Sequence, residues 1–280
     1  MGVTVSAVIS PYVTEQTSQT IFATLEDLKK RSSGNSLFNG LKLTVLSNWK
    51  DSKVLPYRNF PSTRQGFTSY PIFMEDKSIV LQTNELQGTG DDRKIVPADQ
   101  AQIKENTLHE IGHLFDFYFA KPDEEIVQKL KETMDVKEKP TKEDYDKFDA
   151  LLTEYKKNNG LSDSDEYKQA WKKDVEKAFK GYFPFENREK SDNLGYFSPK
   201  AVYDGDDNGK KITLGDGIDD EELDFADRAR EEVFAQLVAY ALGADGKNHN
   251  KELILETYKE SYEVVKKYVE EKLSITAEQK

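Results

Sequence analysis

Two histidines stand four residues apart in the run TLHEIGHLFD, residues 107–116, and no other feature constrains the fold of this chain as tightly. On a helix, residues i and i+4 lie one turn apart on the same face, so His109 and His113 direct both imidazoles to one point if this run is helical. Two converging imidazoles are half of a tetrahedral zinc site. Glu110 follows the first histidine and is carried to the edge of that face, where it is too short to share a metal held by the rings but can hydrogen-bond a water beside it. The spacing therefore predicts a metal-bearing helix with Glu110 as general base. The competing reading is a pair of structural histidines on an ordinary helix face.

Composition narrows the chemistry. The chain has no cysteine, so thiolate sites are excluded and any zinc must be held by His, Glu or Asp. Lys+Arg 40 against Asp+Glu 52 gives a net charge of -12, which argues against nucleic acid and anionic membrane surfaces as partners. No stretch approaches the roughly 18 apolar residues that a membrane span needs. The opening MGVTVSAVIS lacks the basic start and long apolar core of a signal peptide. A cytoplasmic location and a leader already removed both remain open.

In order along the chain, residues 3–9 are β-branched and apolar, as in a strand. Ile21, Phe22, Leu25 and Leu28 recur at helical spacing over 17–31, and Leu41, Leu43 and Val45 alternate with polar neighbours in a second strand. Residues 48–77 read as loops with short strands. Residues 78–86 predict another strand, which is either an interior strand or, as often precedes the active-site helix of zinc peptidases, an edge that pairs with an extended peptide. Asp99 suits the N-cap of a helix over 100–119. Dense Lys, Glu and Asp with spaced apolar residues predict helices near 123–135, 141–158 and 163–180. Asp204, Asp206 and Asn208 have the spacing of the first half of a calcium loop, but its twelfth position is Gly215 rather than Glu, so a plain acidic surface loop competes with calcium binding. Helices are expected over 221–242 and, unbroken, over 251–273.

Two histidines need a third protein ligand. A metzincin would carry Gly and His where this chain has Asp116 and Phe119, so that branch is excluded. The third histidine, His249, lies in a Gly/Asp/Asn-rich stretch that reads as a surface turn. A glutamate on a later helix is the better candidate, and Glu231-Glu232-Val-Phe-Ala stands out. Asp116, one turn after His113, is placed either to orient a ligand ring or to serve as a structural cap or ion-pair partner.

These two motifs, His-Glu-x-Gly-His-x-x-Asp and Glu-Glu-x-Phe-Ala, resemble those of the lethal-factor-like zinc metallopeptidases, which include the anthrax toxin lethal factor catalytic domain and the Pro-Pro endopeptidases. The resemblance covers about forty residues with their flanks. It implies a zincin-like fold with Glu232, rather than Glu231, as the zinc ligand. The family's oxyanion-stabilising tyrosine falls at Phe225 here, so Tyr196, or failing it Tyr203, becomes the candidate for that role. The gap from His113 to Glu232 is longer than in the family.

The resulting expectation is an α+β, zincin-like chain of one domain. A small mixed sheet and the active-site helix occupy an N-terminal lobe over 1–120, a charged helical insertion spans 121–200, and a helical lobe with the third ligand spans 201–280. The function expected is a zinc-dependent metalloendopeptidase of the gluzincin type, acting on a protein or peptide. His109, His113 and Glu232 would hold the ion, with Glu110 and Tyr196 catalytic. A toxin-like or surface-binding domain that keeps the fold without cleaving is the alternative, motivated by Phe225, and an interaction protein with an accidental motif is a third. Secretion from a bacterium is what the resemblance implies.

Overall fold

The computed structural model describes residues 5–32, 37–38, 40–47, 66–68, 77–87, 94–119, 160–179, 220–246 and 249–273, with isolated positions between 125 and 154 and at 194 and 197. It is a mixed, mostly helical structure with a small sheet. Strand β1 (Val5–Ile9) runs parallel to β2 (Leu41–Leu46), from Val5 opposite Leu41 to Ile9 opposite Val45. Parallel neighbours need a crossover, and helix α1 (Glu15–Arg31) supplies it. Thr14 caps α1, its hydroxyl accepting the Thr17 N–H at 3.2 Å. Ile21, Leu25 and Leu28 are buried as their spacing predicts, whereas Phe22, about 100° further round the helix, is left partly in solvent. On β2, Leu41, Leu43 and Val45 face the core.

Beyond β2 the sheet continues with β4 (Ser78–Gln82), parallel to β2, and then β3 (Gly66–Thr68), antiparallel to β4. The stretch 78–86 is therefore interior over its first half, with β2 on one side and β3 on the other, and β4 cannot itself be the peptide-pairing edge. The stretch is also divided. Thr83 leaves the ladder, its N–H bonding to Leu46 O and its carbonyl accepting from Ala98, and β5 (Asn84–Gln87) then pairs antiparallel with β6 (Lys94–Pro97) as a separate hairpin. The sequence contains no breaker at Thr83. The split comes from partners distant in the chain.

Helix α2 (Gln100–Tyr118) starts as expected at Asp99, whose carboxylate accepts the Gln102 N–H at 2.8 Å. It packs against α1, β3 and β4 on one side and most extensively against α4 (Asp220–Ala241) on the other. Ile103, Leu108, Ile111, Leu114 and Phe115 fill both contacts. From Val233 to Ala241, α4 is buried all round, as a helix enclosed by protein on every side must be. Truncating Leu237 there to alanine should cost about 2–5 kcal/mol.

A 3-10 turn (Leu161–Asp163) leads into α3 (Asp165–Phe179), which sends Tyr167, Trp171 and Val175 into the same core. The C-terminal helix is broken where continuity was expected: α5 (Lys251–Thr257) stops at Tyr258 and α6 (Lys259–Leu273) begins anew. Asp174 of α3 makes the break possible, accepting the N–H groups of Glu260 and Ser261 at 3.1 and 2.8 Å, so the new N-terminus is capped from another helix. The helices expected over 123–135 and 141–158 lie mostly outside the described residues. Among the described residues, no helix is long and apolar enough to cross a membrane.

Candidate metal centre

His109 and His113 leave α2 on the face turned to α4, with ring centroids 4.8 Å apart and planes nearly perpendicular. Between them on that face, Gly112 meets the backbone of Ala235. A Cβ at position 112 would lie 2.8 Å from Ala235 Cα and closer still to the Ala235 carbonyl oxygen, so only glycine lets the helices touch backbone to backbone. That close approach brings Glu232, one turn before Ala235, against both rings. Its Oε2 is 3.2 Å from His109 Nε2 and 3.1 Å from His113 Nε2. All three side chains are 14–16 % exposed, open enough to be reached from solvent.

The donor set fits a tetrahedral ion. Bonds of about 2.0–2.1 Å in a tetrahedron place ligand atoms roughly 3.3 Å apart, close to the separations found here. One ligand atom from each of His109, His113 and Glu232 falls within 4.8 Å of the others, and this cluster can hold a metal ion.

The electrostatics agree. Burial disfavours charge on His113, but the Glu232 carboxylate outweighs it and lifts the pKa to about 9. Burial likewise opposes ionisation of Glu232, yet the charge of His113 and the hydrogen bond from its ring, with the His109 ring alongside, hold its pKa well below the usual carboxylate range. Near neutral pH the pair holds a proton between its members, and an ion bound there would displace it.

His109 is oriented by residues that sequence inspection missed. Its Nδ1 lies 2.9 Å from Gln236 Oε1, and Gln236 Nε2 donates to Glu105 Oε1 at 2.7 Å. The amide thus turns its nitrogen to Glu105 and leaves its oxygen, which can only accept, to the ring. His109 Nδ1 is therefore the protonated nitrogen, and the Nε2 lone pair faces the other two ligands. Gln236 follows Glu232 by four residues and Glu105 precedes His109 by four. Extending each ligand's helical face by one turn would have found both.

Glu110 is buried at 7 % exposure, and its charge acts on His113. Glu231 is nearly buried, its charge felt at His113 and Asp116, but it is Glu232 whose oxygen meets the rings. Asp116 does not orient a ligand ring. Its carboxylate turns away to Ser162, accepting from the backbone N–H and the hydroxyl, both at 2.7 Å. Burial, opposed by those bonds, raises its pKa to about 7.

His249 stands on a turn, as expected, but its ring is turned inward. It is partly buried with its ring 4.7 Å from Phe197, and Phe197 stands 6.2 Å from His109 on another side. Burial and the charge at His109 lower the His249 pKa to about 4, which keeps it neutral at physiological pH. Tyr196, Tyr203 and the calcium-loop candidates Asp204, Asp206 and Asn208 lie outside the described residues. Phe225 lies on α4.

No family model, curated protein or solved structure matches this chain.

Proposed function

We propose that the chain is a zinc-dependent metalloendopeptidase of the gluzincin type, with a zincin-like arrangement of sheet and helices. The observation that carries this reading is one Glu232 oxygen within 3.2 Å of two histidine Nε2 atoms, beside a buried Glu110. His109, His113 and Glu232 would hold the ion. Zinc bound there would supply a lowered pKa for an adjacent water and polarisation of a peptide carbonyl.

The chain's own residues do the rest. The Glu110 carboxylate takes a proton from the attacking water and returns it to the leaving amine nitrogen. Gln236 and Glu105 hold the His109 ring in one tautomer. Tyr196 is the candidate donor to the developing oxyanion. Its neighbour in the chain, Phe197, lies beside His109, which supports a residue of this segment acting at the site. For substrate, an extended peptide is the natural class, with the antiparallel strand β3, packed beside α2, as the strand it would lie along.

Glu110→Gln tests the mechanism. The variant should bind zinc as the wild type does while peptide-library hydrolysis falls by about 10²–10⁴-fold. Unchanged turnover would remove Glu110 from the reaction. A wild type that binds zinc but cleaves nothing would favour a non-cleaving binding domain.

A further inference from the structure

We propose that the Leu161–Asp163 turn is a clasp that fixes how far α4 is advanced along α2, and that Asp116 and Arg230 are thereby positioning residues for the metal centre. The inference rests on His109, His113 and Glu232 holding zinc. The ligands come from two helices whose sequence separation is 119 residues between His113 and Glu232. Apolar packing holds such helices together but is non-directional. The Gly112–Ala235 contact sets their separation. A slip of one residue, about 1.5 Å along the axis, would take the Glu232 oxygen out of reach of one ring.

Beside the Glu105–Gln236 bond, the turn supplies a second directional tie on the far side of the glycine contact. Ser162 is gripped from both helices at once. Its N–H and hydroxyl donate to the two oxygens of Asp116, and its carbonyl accepts from Arg230 Nε at 2.9 Å. Arg230 Nη2 reaches the next residue, Asp163, at 2.5 Å. Asp116 stands three residues after His113, and Arg230 two before Glu232, so each grip lies within a turn of a ligand. Asp116, Ser162 and Arg230 are all buried. At Gly160 a Cβ would sit 2.8 Å from Asp116 Oδ1, so the turn approaches too closely for any side chain there.

Buried charged groups are often weak contributors to stability compared with apolar residues of the same volume, and in some proteins their role is to fix register. That is the role this arrangement suits. Residues 160–179 are on this account part of the frame of the metal centre rather than an appended insertion.

The test separates position from stability. Zinc affinity is measured by competition with a chromophoric chelator, thermal unfolding is followed with and without zinc, and Co²⁺ absorption reports ligand geometry. Arg230→Met and Asp116→Leu should weaken zinc binding by about 10- to 100-fold, the range for outer-shell partners of metal ligands, and shift the Co²⁺ bands. Asp116→Asn keeps acceptor and shape and should retain wild-type affinity. If Arg230→Met does not fold, Arg230→Lys, which keeps a charge near Asp163 but loses the fork to Ser162, should show the same weakening to a smaller degree. A group that only stabilises the fold lowers both melting temperatures together and leaves the folded protein's affinity unchanged. That outcome would overturn the clasp while leaving the metal centre standing. A wild type that binds no zinc would sink both.

Discussion

Two buried polar bridges join α2 to α4, one on each side of the Gly112–Ala235 contact, and they are built differently. On one side Glu105, Gln236 and His109 form a chain that ends on a ligand ring, and the group touching the ring is a neutral amide. On the other, Asp116, Ser162, Arg230 and Asp163 form a chain that touches no ligand and carries charge. The first decides which nitrogen of a ring faces the other two candidate ligands. The second decides where two helices stand. One link is thus a neutral amide and the other an ion pair.

The largest effect should come from breaking both bridges together. Gly112→Ala places a methyl against the Ala235 backbone, which cannot turn aside as a side chain would. Overpacking of this kind costs about 1–3 kcal/mol or more, and the displaced α4 takes Glu232, Gln236 and Arg230 with it. Urea unfolding should show the loss, and the purified protein should contain no stoichiometric zinc. Retention of zinc at wild-type affinity would mean that the site tolerates a wider spacing than the fit to a tetrahedron requires.

Gln236→Leu breaks the first bridge alone. Zinc affinity should fall by about 10- to 100-fold because either nitrogen of His109 can then carry the proton. Loss of a buried donor to Glu105 should also lower stability by about 1–3 kcal/mol. Chelator competition and ¹⁵N shifts of the apo protein's imidazoles would report the two parts separately. A single unchanged tautomer in the variant would show that something other than Gln236 orients the ring.

Sequence spacing makes the first bridge partly readable and hides the second. The two-histidine face, the cap at Asp99 and the burial of Leu41, Leu43 and Val45 all follow from local periodicity, because each depends on neighbours within one turn or one strand. Glu232 could be singled out only by resemblance, since nothing within α4 says that it will face α2. Ser162 was beyond inference altogether. It is an ordinary serine in a polar stretch, and its importance arises from meeting Asp116 and Arg230, which are 46 and 68 residues away. The break at Tyr258 has the same origin, a cap supplied by Asp174 from another helix. The split of 78–86 at Thr83 does too.

The smallest effect on the metal should come from Asp116→Asn, and it probes a feature of the second bridge, a buried carboxyl that titrates near neutrality. Burial raises the Asp116 pKa from 3.8 to about 7. In the unfolded chain Asp116 loses its proton near pH 4, while the folded protein holds it until about pH 7. Between these values the native state binds more protons than the unfolded state, so the contribution of Asp116 to stability falls as pH rises and levels off above about 7. Asparagine accepts from the Ser162 N–H and cannot ionise. The stability of Asp116→Asn relative to wild type should therefore rise from pH 4 to 7, by at most about 1.4 kcal/mol per unit, and stay level beyond. Urea unfolding of both metal-free proteins across this range measures the difference directly, with every other titrating group common to the two. Parallel profiles would show that the Ser162 bonds hold Asp116 ionised despite its burial, making the second bridge as insensitive to pH as the amide that faces His109.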